Sequence, residues 1–176
     1  MDKILQKKNG ENFMKKKILM LSDSVFCNTG YSTITRNMLN GLSDEYECHA
    51  LCHNYVGQSL PPGIRFKDGY TCNFWIHGTG REPYCKDVMI PLINELQPDY
   101  FIILLDTFML YPWLLDMNFA PAKTCFYYPS DGGGGLPQGC EAIISHMTRS
   151  VAMSKFAQWQ AKTVHGLDTD YIPHAV

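Results

Sequence analysis

An α/β chain with a parallel sheet covered by helices is what this sequence predicts, and three observations predict it. Its apolar segments are continuous rather than alternating, as in "KILML", "YFIILL" and "CFYY", which is the pattern of strands buried on both faces. Segments with three- and four-residue apolar spacing fall between them, so strand and helix alternate along the chain. The first such strand breaks into Ser-Asp-Ser and runs through a single glycine into a helix, the opening of a βαβ unit.

Each element follows from local chemistry. Residues 17–24 form the first strand, and Tyr31, Ile34, Met38 and Leu42 place a helix over 31–42, with Asn28, Thr29 or Ser32 available to cap it. A strand follows at 45–52, another short one at 64–70, and "KDVMIPLINEL" reads as a helix despite Pro91. "QPD" stops that helix before the strand 100–105. A short helix near 110–117 precedes the strand 123–128, then come a glycine-rich loop, a helix near 138–145, a strand at 150–153, a helix over 155–164 and a last strand "YIP".

Composition narrows the function classes. The 176 residues are 45% hydrophobic and 18% charged, the size and makeup of one large globular domain. "YFIILLDTFMLYPWLL" is the most apolar stretch, yet Asp106 and Pro112 interrupt it well short of the ~20 residues a membrane span needs. The N-terminus lacks the apolar core of a signal peptide, so the seven unevenly spaced cysteines read as reduced thiols and the protein as cytoplasmic. Six of the fifteen basic residues precede position 18; the remainder of the chain carries nine against fifteen acids, a net of −6. That balance excludes a basic nucleic-acid face on the fold. It leaves residues 1–14 as a basic, disordered leader whose contact with anionic lipid is the weaker alternative to plain solvation, and 15–176 as the folded domain.

In a parallel sheet the ligand site lies beyond the carboxyl ends of the strands. The residues expected there are Asp23, Asn28, Gly30, Tyr31 and Ser32; His53, Asn54 and Tyr55; Asp106; Ser130, Asp131 and Gly132; and Ser154 with Lys155. Gly30 before a helix N-terminus would let an anion approach the backbone amides, although a purely structural turn would use a glycine equally well. It belongs to neither a G-x-G-x-x-G nor a P-loop pattern, and no acid ends the second strand, which disfavours a nicotinamide dehydrogenase. "ECHALCH" is not a zinc site if it is a strand, because Cys48 and Cys52 would stand roughly 13 Å apart. Asp106, directly after a buried strand, is placed to hydrogen-bond a sugar hydroxyl or take its proton, or else to cap the following segment. Asp131 sits comparably on the glycine loop. No G-x-S-x-G elbow or Cys-His signature points to a covalent acyl intermediate.

Taken in order, "KKILMLSDSVFCNTGYSTITRNMLNGL", "HNYVGQ", "LQPDYFIILLD", "CFYYPSDG" and "VAMSKFAQWQAKTVHGLDTDYIPHAV" resemble the N-terminal half of a GT-B fold glycosyltransferase of the group 1, or family 4, type. The resemblance runs from about residue 15 to 176. It implies a Rossmann-like domain that supplies the acceptor site, and a strand ending at an interdomain hinge, where relatives have Pro-His-Gly-Val and this chain has Ala175. It implies a nucleotide-diphosphate sugar as donor, with Gly30, Tyr31 and Ser32 approaching the donor phosphate. The remaining rim residues, Asp23, Asn28, His53, Asn54, Tyr55, Ser130, Gly132, Ser154 and Lys155, face an acceptor of unknown identity, and no metal or cofactor is required. Relatives often place a histidine near the position of Asp106, so Asp106 and Asp131 would orient the acceptor or share its proton. The nucleotide-sugar contacts would come from a C-terminal domain or partner subunit, without which this domain is expected to be inactive. The competing expectation is a non-catalytic carbohydrate- or nucleotide-binding module of the same fold.

Overall fold

The computed structural model describes residues 14–130 and 132–173. The strands are β1 (Lys17–Ser22), β2 (Glu47–Cys52), β3 (Ile64–Arg65), β4 (Thr71–Cys72), β5 (Trp75–Gly78), β6 (Tyr100–Ile103), β7 (Lys123–Tyr128), β8 (Arg149–Ala152) and β9 (Asp170–Tyr171); the helices are α1 (Gly30–Leu42), α2 (Lys86–Leu96), α3 (Thr107–Leu110), α4 (Cys140–His146) and α5 (Lys155–His165). Seven strands form one sheet in the order β5-β2-β1-β6-β7-β8-β9, and every pairing in it is parallel. This is a Rossmann-like α/β fold, and the strand order reverses between β1 and β6, the position at which open sheets of this kind generally take their ligands.

Residue alternation along β1 shows how the layers form. Leu19 and Leu21 join Leu51, Phe101, Ile103 and Phe126 in a core closed by Met89 and Ile93 of α2, Ile143 of α4, and Ala157 and Ala161 of α5. Ile18 and Met20 face the other way, into a second core with Ala50, Ile76, Phe74 and Leu39 of α1. Helices therefore cover both faces, but unevenly: on the second face Tyr100, Ile102 and Cys125 are only partly buried.

Four segments differ from the sequence expectation. Residues 64–70 do not form one strand; β3 and β4 pair antiparallel around a turn in which Gly69 has φ +88°, because the Lys-Asp-Gly run reverses the chain. The segment expected as one helix near 110–117 splits into α3 and a 3₁₀ turn at Trp113–Asp116, since Pro112 has no N–H to continue a helix. Strand β5 was not expected at all. Its four residues include a buried His77, and their pattern is too short and too polar to read as a strand. The last strand is Asp170–Tyr171, one residue earlier than "YIP".

The leader lies outside the described residues apart from Met14, as do Asp131 and the chain end from His174. Among the described residues, no helix is long and apolar enough to cross a membrane.

Candidate functional site

Where β1 ends, Asp23 is held from two sides. Its Oδ1 meets Nε2 of His53, just after β2, at 2.8 Å, and its Oδ2 accepts from the Thr29 hydroxyl at 2.6 Å. Thr29 is the N-cap of α1, and the same hydroxyl accepts from the backbone N–H of Ser32 at 3.1 Å. One side chain thereby starts the helix and ties it to the strand before it. Asp23 and His53 are largely buried, with side-chain exposures of 12% and 13%. The hydrogen bond from His53 holds the Asp23 carboxyl below its ordinary value, against the opposing effect of burial and with further help from Thr29 and the charge of His53. Asn54 adds a third tie, accepting from the Ser24 N–H at 2.5 Å. The ring of Tyr84, a residue with φ of +57°, lies 5.6 Å from that of His53.

Across the topological switch, the Tyr31 hydroxyl on α1 donates to Oδ1 of Asp106 at 2.7 Å. Asp106 occupies the N-cap position of α3 but makes no side-chain cap. Its backbone carbonyl accepts from the Met109 N–H at 3.0 Å, so the residue forms the turn that follows the strand. Its carboxylate instead borders a pocket of about 490 Å³ lined also by Thr107, Phe108, Tyr111, Ser130, Gly132 and Gln138, a size typical of small-molecule sites.

Gly30 has neither a positive φ nor a crowded Cβ position, and nothing lies within 4 Å of a methyl built there. A side chain at this position would meet no steric or backbone obstacle. Gly30 and Asn28 are exposed, whereas Ser32 is buried, with a hydroxyl that has no hydrogen-bond partner among the described residues.

The structure brings Asp23, His53 and Asn54 together, joins Tyr31 to Asp106 and sets Ser130 and Gly132 on the Asp106 pocket, while several candidates also make local structural contacts. The Tyr55 hydroxyl donates to the Gln58 carbonyl at 2.9 Å and its ring packs against Phe26. Ser154 is the N-cap of α5, accepting from the Ala157 N–H at 3.0 Å. Lys155 borders a separate groove of about 270 Å³ with Trp159 and Asp168. Ser130 donates to Gln160 Oε1 at 2.5 Å, and Gln160 Nε2 donates to the Gly132 carbonyl at 2.6 Å. Gln160 is almost wholly buried and clamps the glycine loop; inside an amphipathic helix pattern it carried no signal. Tyr111 and Phe108 were likewise missed, because exposed aromatics after a strand read as ordinary surface.

Among the described residues, no group of three or more His, Cys, Asp or Glu side chains is arranged to hold a metal ion. Cys48 and Cys52 are buried, and burial pushes their thiols up to about 11 and 12. No protein-family model matches the chain, and no curated protein matches its sequence.

Proposed function

We propose that this chain is the acceptor-side domain of a GT-B type glycosyltransferase, moving a sugar from a nucleotide-diphosphate donor to a hydroxyl-bearing acceptor. The observation that carries this reading is Asp106: a carboxylate just beyond the carboxyl end of β6 that makes no side-chain cap, accepts from the Tyr31 hydroxyl and borders a pocket of about 490 Å³. A carboxylate held at such a rim orients an acceptor hydroxyl and shares its proton as the oxygen attacks. The exposed aromatics Phe108 and Tyr111 supply flat apolar faces on which a sugar ring packs. In this reading the open backbone at Gly30 receives the donor phosphate.

Two apolar surfaces support a second domain as partner. Phe156 and Trp159 stack on the outside of α5, 44% and 56% exposed, and Ile172 beyond β9 is 54% exposed. The half-covered sheet face at Ile102 and Cys125 is the other.

The test is an NMR titration of the chain with free sugars, nucleoside diphosphates and nucleotide sugars, followed by a transfer assay with the second domain supplied. Shifts confined to the Asp106, Thr107 and Tyr111 region, lost in Asp106→Asn, are expected. In the complete two-domain enzyme the same variant should lower turnover more than about tenfold. Sugar binding with no transfer under any donor would instead establish a binding module, and no shifts at the pocket would remove the reading.

A further inference from the structure

Away from that pocket, four polar side chains form an unbroken hydrogen-bonded line along the β2–β5 edge of the sheet. Ser59 Oγ lies 2.9 Å from His77 Nδ1, His77 Nε2 lies 3.0 Å from His49 Nδ1, and His49 Nε2 lies 3.0 Å from Glu47 Oε1. Topology builds this line. Glu47 and His49 share one face of β2, His77 on β5 is paired with Leu51, and the Leu60–Ile76 bridge brings Ser59 alongside His77. The two imidazoles are nearly parallel at 18°.

The line has a direction, set by its carboxylate end. A carboxylate only accepts, so His49 must carry its proton on Nε2 and leave Nδ1 as an acceptor. His77 must then donate from Nε2, which leaves its Nδ1 to accept from the Ser59 hydroxyl. The opposite direction would set His49 Nε2 against Glu47 acceptor to acceptor. Both rings are buried, at 3% and 9% exposure, while Ser59 is exposed and Glu47 is 42% exposed.

We propose that Ser59 is a second reactive site of this protein, a nucleophile activated through His77, His49 and Glu47 that takes activated acyl esters as substrates. Nucleophile, base and orienting acid stand within hydrogen-bond reach in sequence, the geometric signature of an activated hydroxyl. As Ser59 Oγ attacks the ester carbonyl, its proton passes to His77 Nδ1, the His77 Nε2 proton to His49 Nδ1, and the His49 Nε2 proton to Glu47. The concerted shift leaves both buried rings neutral and places the proton on the half-exposed carboxylate. The Oγ–C bond forms, the C–O bond to the leaving group breaks with its electron pair, and the relayed proton returns to the departing oxygen. Burial, aided by the nearby His49, pulls His77 down to about 4, which keeps its Nδ1 unprotonated at neutral pH. No linear motif marks this arrangement, since its four members come from two strands and a loop.

The experiment is acetylation of the native chain by p-nitrophenyl acetate at neutral pH, read by peptide mass mapping. Ser145 on α4 is an exposed serine with no side-chain hydrogen bond among the described residues and serves as internal reference. Ser59 is expected to acetylate at least about tenfold faster than Ser145, and Glu47→Gln, with its fold verified by circular dichroism, should bring the Ser59 rate down to that of Ser145. Mapping Ser59→Ala confirms the site through loss of the adduct on that peptide. Equal rates at Ser59 and Ser145, or a Ser59 rate unchanged in Glu47→Gln, would overturn the proposal and leave the line as a structural tie of the edge strand. Because the readout involves no sugar or nucleotide, its failure is independent of the glycosyltransferase reading.

Discussion

The two ends of the sheet use polar groups in opposite ways. At the amino end, charge is spent on backbone: Lys15 Nζ donates to the Ser43 carbonyl after α1 at 2.9 Å, Lys17 Nζ to the Leu96 carbonyl of α2 at 3.1 Å, and the Lys17 N–H to Asp99 Oδ2 at 2.8 Å. Cations there meet the negative ends of helices and satisfy orphan carbonyls. At the carboxyl end, side chains mostly hold one another, Asp23 with His53 and Thr29 and Asp106 with Tyr31, and Asp106 borders an open pocket. A large cavity alone therefore does not locate a site. The amino-end pocket is the larger, at about 720 Å³, yet its Lys15 and Lys17 are held by carbonyls at helix ends and its Lys16 lies over the Tyr100 ring.

The sharpest test of this contrast removes what the ends share. Phe101 is fully buried between them, and Phe101→Ala should cost about 3–5 kcal/mol in urea unfolding. Both ends should then melt in one transition; two separate transitions would mean that they are independent units.

Acidification comes next. His77 falls from the ordinary 6.5 to about 4 in the folded state, so below 6.5 the unfolded chain binds a proton that the folded chain refuses. Stability is fully present above 6.5 and declines as pH falls toward 4, by about 3 kcal/mol from this residue; His49, lowered by its own burial, acts in the same sense. Unfolding free energy measured across this window checks it, and His77→Gln should flatten the slope.

At the rim, Asp23→Asn removes the charge from a largely buried pair and should cost about 1–3 kcal/mol. Because the Asp23 carboxyl lies below its ordinary 3.8 when folded, its contribution is complete above that value and is lost only as pH falls through the lower folded one. The acid-unfolding limb of the variant should be shallower in that range. At the amino end, Lys17→Met should cost only about 0.3–1 kcal/mol and leave ligand titrations unchanged. Comparable in size but opposite in sign, Gly30→Ala should raise the melting temperature slightly, by the equivalent of about 0.4–1 kcal/mol, since alanine fits its backbone. A loss of anion binding in that stabilised variant would show that the glycine serves approach rather than folding.

Much of this was legible before any coordinates. Continuous apolar strands and intervening amphipathic helices determine a parallel sheet, because a strand without a polar face must be covered on both sides. That pattern placed β1, β2, β6, β7 and β8, and through them put Asp23, His53 and Asp106 at the carboxyl rim. Other elements escaped: β3 and β4 are two residues each, too brief for a period to show, and β5 includes His77 and ends in Gly78. Pairing was beyond reach as well. Nothing in the chain says that Tyr31 finds Asp106 across 75 residues, that Gln160 reaches back to Gly132, or that Glu47, His49, His77 and Ser59 line up. Local sequence determines which way a side chain faces on its own strand or helix; strand order, register and loop closure decide which side chains meet, and those follow from burying the whole sheet at once.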